Sequence, residues 1–359
     1  MNKLAHINIF WGYQAGIINK LESLAKTSID NKIPIDFILI TTRKKELETL
    51  KYLKVYFIKD EGNIFKKRKL QIDILNNIEK KYYKLIMRYP LFDPVVLFFL
   101  KNKKKYIFEH HTKEIEELKL KNDKRYLFEK YFGSKWLNLF GGIIGVTKEI
   151  ENYELKRSRF ERFHSFVPNS IIIDNRQLEG EIYSYDKIHI IMVANFRPWH
   201  GLEKIISEIE KNEKYRDKFV FHIVGEINNK ILEEKIKKNS NIKYYGFLQK
   251  EQIQSLYKNM DVGLGVFNLA VKGMKESTSL KVREYFANGL LVYTGDIDPA
   301  FPKDFRYLIQ NKEFKLDILF DFVVKHKGVK KEYIRNEVKK FIDSKIILNN
   351  LYKNIVKEA

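Results

Sequence analysis

The sequence predicts an α/β protein made of two consecutive doubly wound domains, and three observations carry that prediction. Short runs of apolar, β-branched residues alternate with longer stretches of helical periodicity in both halves, the pattern of parallel strands joined by crossover helices. A length of 359 residues is generous for one α/β domain and suits two, each able to bury its own core. Val167-Pro168-Asn169-Ser170 punctuates the chain near its middle, and the strand-then-helix layout restarts at Ile188. The first domain is therefore placed at residues 1–170 and the second at 171–345.

Taken in order, strands are expected at Leu4–Trp11, Ile35–Thr41, Leu53–Ile58, Leu85–Tyr89, Tyr106–His110 and Ile143–Thr147, with a helix from Ile17 to Thr27 after the first of them. Phe128, Phe132, Trp136 and Phe140, spaced by four, form one helical stripe that reads as core, with a membrane-lying helix as the sharper alternative. In the second half the strands are Ile188–Ala194, Phe219–Val224, Ile242–Tyr245, Met260–Val266 and Leu290–Thr294. A helix follows Gly201, another spans Leu280–Ala287 and closes on Asn288-Gly289, and two more cover about Lys331–Ile342 and Ile347–Lys357. Ligands of doubly wound sheets collect beyond the carboxyl ends of the strands, so the residues just after each strand are the ones to inspect.

Composition narrows the possibilities. Hydrophobic residues make up 44% of the chain and aromatics 14%, which excludes a disordered protein. The absence of Cys excludes disulfides and thiolate metal sites. Met1–Phe10 lacks a signal-peptide pattern, and no apolar run approaches the roughly 20 residues of a membrane helix, so a cytoplasmic protein is expected. Val95–Leu100 is the longest clean apolar run and reads as a core element. The net charge is +21, with 35 Lys and Arg against 22 Asp and Glu in residues 1–180 and +8 in the remainder. Such an excess suits an anionic membrane surface, a phosphate-bearing acceptor or nucleic acid, and equally a Lys-rich composition with no partner behind it. Phe65-Lys66-Lys67-Arg68-Lys69 and Lys101–Lys105 set positive charge beside apolar residues and are the candidates for peripheral membrane contact. Nucleic acid is the remote alternative, because the basic clusters are dispersed and no reader motif accompanies them.

Chemistry concentrates in Met274–Asp296. Glu276 and Glu284 stand eight positions apart, the second inside the Leu280–Ala287 helix, and Thr278 or Ser279 caps that helix. The N–H groups near Ser279 and Leu280 then point at whatever lies in front of it. Carboxylates accept from sugar hydroxyls and a positive helix end holds phosphate, so the arrangement suits a nucleotide sugar.

This E-x7-E element, in the context S-L-K-V-R-E-Y-F-A-N-G-L-L-V, resembles the signature of retaining glycosyltransferases of the GT-B fold, family 4 type. The resemblance implies two Rossmann-like domains facing a cleft, the first for the acceptor and the second for the nucleotide sugar, with a C-terminal helix at about 346–359 packing back on the first. It implies that Glu284 binds the ribose and that Glu276 contacts the transferred sugar. Asn195–Gly201 resembles the family's phosphate-binding segment, where an Arg and a Lys neutralise the diphosphate. Arg197 fits the Arg, His200 stands where Lys is usual, and Lys281 is placed to supply further charge. A protonated His200 in that role makes turnover fall as pH rises through its pKa.

Glu109-His110-His111 resembles the His-containing segment at the sugar site. Adjacent strand residues point to opposite faces, so one of His110 and His111 faces the sugar. The turn after the first strand keeps Gly12 and Gly16 where the family carries a richer glycine loop, and the strand end at Gly246, Phe247 and Leu248 borders the base. Asp296-Ile297-Asp298 spells the D-x-D metal motif of a different glycosyltransferase fold, lacks its supporting pattern, and is read as coincidence.

The expectation is an enzyme that moves a hexose-type sugar from a UDP-sugar to a hydroxyl of a glycan or lipid-linked acceptor with retention, in bacterial surface polysaccharide or glycoconjugate assembly. The leaving diphosphate assists attack from the same face, Arg197, His200 and Lys281 stabilise its charge, and no metal cofactor is required. The reduced glycine loop and the missing Lys keep a non-catalytic nucleotide-sugar or glycan-binding protein as the alternative.

Overall fold

The computed structural model describes residues 2–11, 15–42, 50–59, 62–159, 162–215 and 217–358. The chain divides into two compact units, Met1–Ile172 with Asp343–Ala359, and Ile173–Ile342.

In the first unit seven strands form one parallel sheet: β1 (Leu4–Phe10), β2 (Ile35–Thr41), β3 (Lys54–Phe57), β4 (Lys84–Arg88), β5 (Tyr106–His110), β6 (Gly142–Gly145) and β7 (Phe163–Phe166). Their order is β3-β2-β1-β4-β5-β6-β7. The helices between them are α1 (Ala15–Asp30), α2 (Ile64–Glu79), α3 (Pro94–Phe99), α4 (Glu114–Leu120), α5 (Arg125–Phe128), α6 (Ser134–Leu137) and α7 (Lys148–Ser158). Strand periodicity sends Ala5, Ile7, Ile38, Ile40 and Met87 to one face, where they meet Leu75, Trp136 and Phe140. Leu4, Phe37, Leu39, Ile86 and Ile107 go to the other face. Both faces are covered, which is why these strands read as continuous apolar runs.

The second unit repeats the plan with β8 (Ile188–Val193), β9 (Phe219–Val224), β10 (Ile242–Tyr244), β11 (Val262–Leu264), β12 (Leu291–Thr294) and β13 (Leu308–Gln310), in the order β10-β9-β8-β11-β12-β13. Its helices are α8 (Leu202–Lys211), α9 (Lys230–Lys238), α10 (Lys250–Tyr257), α11 (Leu280–Ala287), α12 (Leu316–Lys325) and α13 (Lys331–Ile342). The last helix, α14 (Ser344–Glu358), belongs to the first unit and lays Leu348, Leu351 and Ile355 into the same core as Leu21 of α1. Strand order reverses between β1 and β4 in one sheet and between β8 and β11 in the other. At such points neighbouring loops diverge and leave a crevice.

Three local features differ from expectation. The edge strands β7 and β13 have no apolar run long enough to announce them. The aromatic stripe is split: Trp136 and Phe140 are core, whereas Phe128 and Phe132 are exposed. The cause is a π-helical turn at Glu129–Gly133, whose extra residue breaks the spacing by four between Phe128 and Trp136. Of the apolar run at 95–100, Val96 and Leu100 are buried, but Phe98 is 76% and Phe99 64% exposed, so only part of this stretch is core.

Candidate active site

The reversal between β8 and β11 gathers the segments singled out in the second unit. Helix α11 starts at Ser279, whose backbone is extended (φ −64°, ψ 133°) and whose side chain makes no capping bond. The hydroxyl leaves the first-turn N–H groups of Leu280 and Lys281 to an outside acceptor, at the positive end of the helix. The buried side of α11 fixes its position. Tyr285 Oη accepts from the Val193 N–H at 2.9 Å, which ties the helix to the end of β8. Arg283, wholly buried, forms an ion pair with Asp298 and lies 5.4 Å from the Phe301 ring centre.

Beyond β8, Pro198–His200 form a 3₁₀ turn, and Gly201 follows with φ of +72°. A Cβ there would lie 2.9 Å from Cβ of Phe267, so only glycine allows this approach. Phe267 N–H donates to His200 O at 3.1 Å, Asn268 N–H to Trp199 O at 3.1 Å, and Asn268 Nδ2 to Pro198 O at 3.1 Å. The turn carrying Arg197 and His200 is thus bonded to the segment that runs on to Glu276. That segment is pinned in turn: Ser277 N–H donates to Ile297 O at 3.0 Å and Ile297 N–H to Lys275 O at 2.9 Å.

The electrostatics follow from this geometry. His200 Nδ1 accepts the Arg197 N–H at 2.9 Å, so the ring's remaining proton sits on Nε2. Burial, with Lys281, Lys272 and Arg197 nearby, pushes the His200 pKa down to about 3. In the ligand-free site His200 is therefore a neutral N–H donor among cations, and a bound dianion would raise its pKa. Lys281 donates to Gly265 O at 3.3 Å, and burial, partly opposed by Asp296, lowers its pKa to about 8. Arg197 is exposed, and no carboxylate pairs with it among the described residues. Lys272, 4.9 Å over the Trp199 ring, is a fourth polar group here that the motif reading did not single out. The Lys-Gly at 272–273 was its sole signal.

Glu284, one turn into α11, is half-buried and accepts from Tyr257 Oη at 3.3 Å. Burial raises its pKa, while Tyr257 and Lys250 oppose the rise. The ends of β8 and β9 frame a cavity of about 280 Å³ lined by Val193, Ala194, Val224, Gly225, Phe247 and Leu248 among others. Gly225 (φ +121°) makes it possible, since a Cβ would fall 1.8 Å from Ala194 O. Phe247 and Leu248 line this cavity, and Gly246 braces it by accepting the Gly225 N–H through its carbonyl at 2.6 Å. Both carboxylates of the D-x-D are engaged: Asp296 by the hydroxyls of Ser277 and Thr294, Asp298 by Arg283.

In the first unit the two His residues part. His110 is fully buried, stacked on Tyr89 at 4.3 Å, with Nδ1 3.2 Å from both oxygens of Glu114 and 3.8 Å from Glu154 Oε1. Its expected place beside the sugar is thus corrected to a core position. His110, Glu114 and Glu154 bring one ligand atom each within 4.8 Å of one another. Arg157 already holds Glu154 Oε2 through Nε at 2.9 Å and Glu129 Oε1 through Nη1 at 2.7 Å. Burial lifts the Glu114 pKa to about 8 and the Glu154 pKa to about 7, which favours their protonated forms near neutrality.

His111 is partly exposed, and its Nε2 lies 2.9 Å from Glu109 Oε2. Glu109, held well below the usual carboxylate range by His111 and His6 despite its burial, is the acceptor. Gly16 lies exposed in the first turn of α1, and Gly12 falls outside the described residues.

Residues 179–308 match the model of the family described as Glycosyl transferases group 1. No curated protein sequence matches the chain. Among solved structures, a lipopolysaccharide outer core galactosyltransferase, WaaB, aligns over 99% of this chain and 100% of its own at TM-score 0.67 and 12% identity. Anabaena Alr3699/HepE in complex with UDP and glucose aligns over 99% and 100% at TM-score 0.66 and 10% identity. The pneumococcal O-GlcNAc transferase GtfA in complex with UDP and GlcNAc aligns over 99% of each chain at TM-score 0.64 and 11% identity. The fold is GT-B, and the matched domain together with that fold supports a glycosyltransferase.

Proposed function

We propose that the protein transfers a hexose-type sugar from a UDP-sugar to a hydroxyl of a glycan or lipid-linked acceptor, with retention of anomeric configuration. The observation that carries this reading is the uncapped start of α11, set beside Lys281, His200 and Arg197 at the strand reversal. Two cations, a neutral N–H donor and a positive helix end suit a diphosphate, and they suit it best as charge develops on it during departure. Glu284 takes the ribose hydroxyls, Phe247 and Leu248 border the base, and Glu276 contacts the sugar. HepE and GtfA, crystallised with UDP, support uridine as the base. The leaving diphosphate deprotonates the incoming hydroxyl on its own face, and this chain's cations make a divalent metal dispensable.

A peripheral membrane position at the cytoplasmic face is part of the reading. No helix among the described residues is long and apolar enough to cross a membrane. Phe65, Phe98 and Phe99 are instead exposed beside the lysines of α2 and of the segment after α3, as in surface-lying elements.

The test is a thermal-shift screen of UDP, GDP and their sugars, followed by transfer to a simple acceptor with the product anomer read by NMR. UDP is expected to raise Tm, and UDP-sugar to yield a retained linkage. No shift with any nucleotide, or an inverted product, refutes it.

A further inference from the structure

We propose that the first unit holds its acceptor by an anionic group, a phosphate or a carboxylate, between Lys20 and Arg88 at the point where that sheet reverses its strand order. The proposal rests on the glycosyltransferase reading above and adds the chemical class of the acceptor. The reversal lies between β1 and β4, where a doubly wound sheet opens its crevice. Arg88 is the last residue of β4, Lys20 sits on α1, the helix that leaves β1, and His111 directly follows β5. Three consecutive positions in the sheet thus deliver their polar groups to one end.

The charges there do not cancel. Arg88 stands opposite Glu109 in the β4–β5 register, yet Oε2 of that carboxylate is engaged by His111 Nε2 at 2.9 Å and His6 Nε2 at 3.3 Å. No group among the described residues takes a hydrogen bond from the half-buried Arg88 guanidinium. Lys20 donates to Asn169 Oδ1 at 2.6 Å, is drawn to the Glu109 carboxylate, and has Arg88 as a like-charged neighbour, so two cations share one carboxylate. Burial holds its ammonium below the ordinary Lys range.

With one carboxylate for two cations the site keeps a net positive charge, and an anion placed between Lys20 and Arg88 removes the remaining repulsion and meets the open guanidinium donors. A guanidinium fork fits the paired oxygens of a phosphate or carboxylate, whereas a neutral hydroxyl leaves one cation uncompensated. His111, which feels both Lys20 and Arg88, would then lie beside the sugar that carries the anion.

The test uses the full chain and its Arg88→Met and Lys20→Met variants, with ligand-observed NMR at fixed ionic strength. The probes are glucose, glucose 6-phosphate, glucuronate and farnesyl diphosphate, and UDP is titrated in parallel. At least one anionic probe should bind tenfold or more tightly than glucose, and each variant should lose tenfold or more of that preference while keeping wild-type affinity for UDP. Glucose 6-phosphate against glucuronate separates phosphate from carboxylate, and farnesyl diphosphate separates a lipid-linked anion from a sugar phosphate. Equal binding of glucose and all three anions overturns the proposal, as does a preference that survives in both variants. Failure of the wild-type protein to bind UDP would count against the nucleotide-sugar reading alone, since the anion preference is measured without it.

Discussion

Lys281 gives the sharpest test of the diphosphate assignment, because burial sets its ammonium near neutrality. With a pKa of about 8, roughly three quarters of the free protein carries the charge at pH 7.5 and roughly one tenth at pH 9. If UDP binds only the protonated form, its Kd rises about eightfold over that interval. The sign is fixed: affinity is complete below the free-state pKa and is lost as pH rises through it. The phosphate itself finishes ionising nearer pH 6 and contributes little in this window. Bound diphosphate raises the Lys281 pKa, so titration calorimetry at pH 8 in buffers of differing ionisation enthalpy should show about half a proton taken up per UDP. Lys281→Met should weaken UDP by ~1.5–3 kcal/mol, the range of a charge-assisted hydrogen bond, and abolish the proton uptake. Lys281→Arg should keep charge and affinity up to pH 9, which controls for ionisation of the uracil ring. A Kd that stays flat from pH 7.5 to 9 in the wild-type protein refutes the placement of this ammonium on the phosphates.

Other expectations are as direct. Glu284→Gln should weaken UDP tenfold or more, and 2′,3′-dideoxy-UDP should bind the variant and the wild-type protein alike; an undiminished penalty for the variant against the dideoxy ligand moves Glu284 off the ribose. Asp298→Ala leaves Arg283 buried without its partner and should cost ~3–5 kcal/mol of unfolding free energy in urea, while a loss under ~1 kcal/mol would show the pair to be dispensable. Replacing Phe98 and Phe99 by Ser should reduce sedimentation with anionic vesicles severalfold, and added salt should reduce it further; equal binding by both proteins removes this surface from the membrane. For His200, held neutral in the free protein down to about pH 3, an NMR titration of the ligand-free chain should show no ring protonation between pH 5.5 and 7.5, and a midpoint inside that window would restore an imidazolium.

How much of this was legible in the sequence depends on whether a feature's cause lies nearby in the chain. Helix α11 ends where Asn288-Gly289 punctuates it, because a C-terminal stop is local, and it begins after Ser279 without the side-chain capping bond the sequence led one to expect. β13 escapes notice because a three-residue edge strand owes its existence to β12 beside it. The split stripe at Phe128–Phe140 escapes for a different reason. Spacing by four describes an α-helix, and the Glu129 side chain, bonded to Tyr89, Phe92 and Arg157, anchors the π turn from three other places in the chain. Strand parity left His110 and His111 open, and Tyr89, Glu114 and Glu154, from three other segments, surround the first.

The neutral charge state of free His200 shows the same limit and fits the proposed diphosphate assignment. A Lys at this position would be a third cation beside Arg197 and Lys281, with Lys272 close by, all before any phosphate arrives. Like charges lower one another's pKa, and burial, partly opposed by Asp296, already brings Lys281 down to about 8. Another ammonium would push it lower and discharge the free site at working pH. An imidazole whose Nδ1 is occupied by the Arg197 N–H keeps a donor aimed outward without adding charge. On the proposed diphosphate assignment, Lys281 then retains enough of its proton to supply charge while His200 supplies geometry.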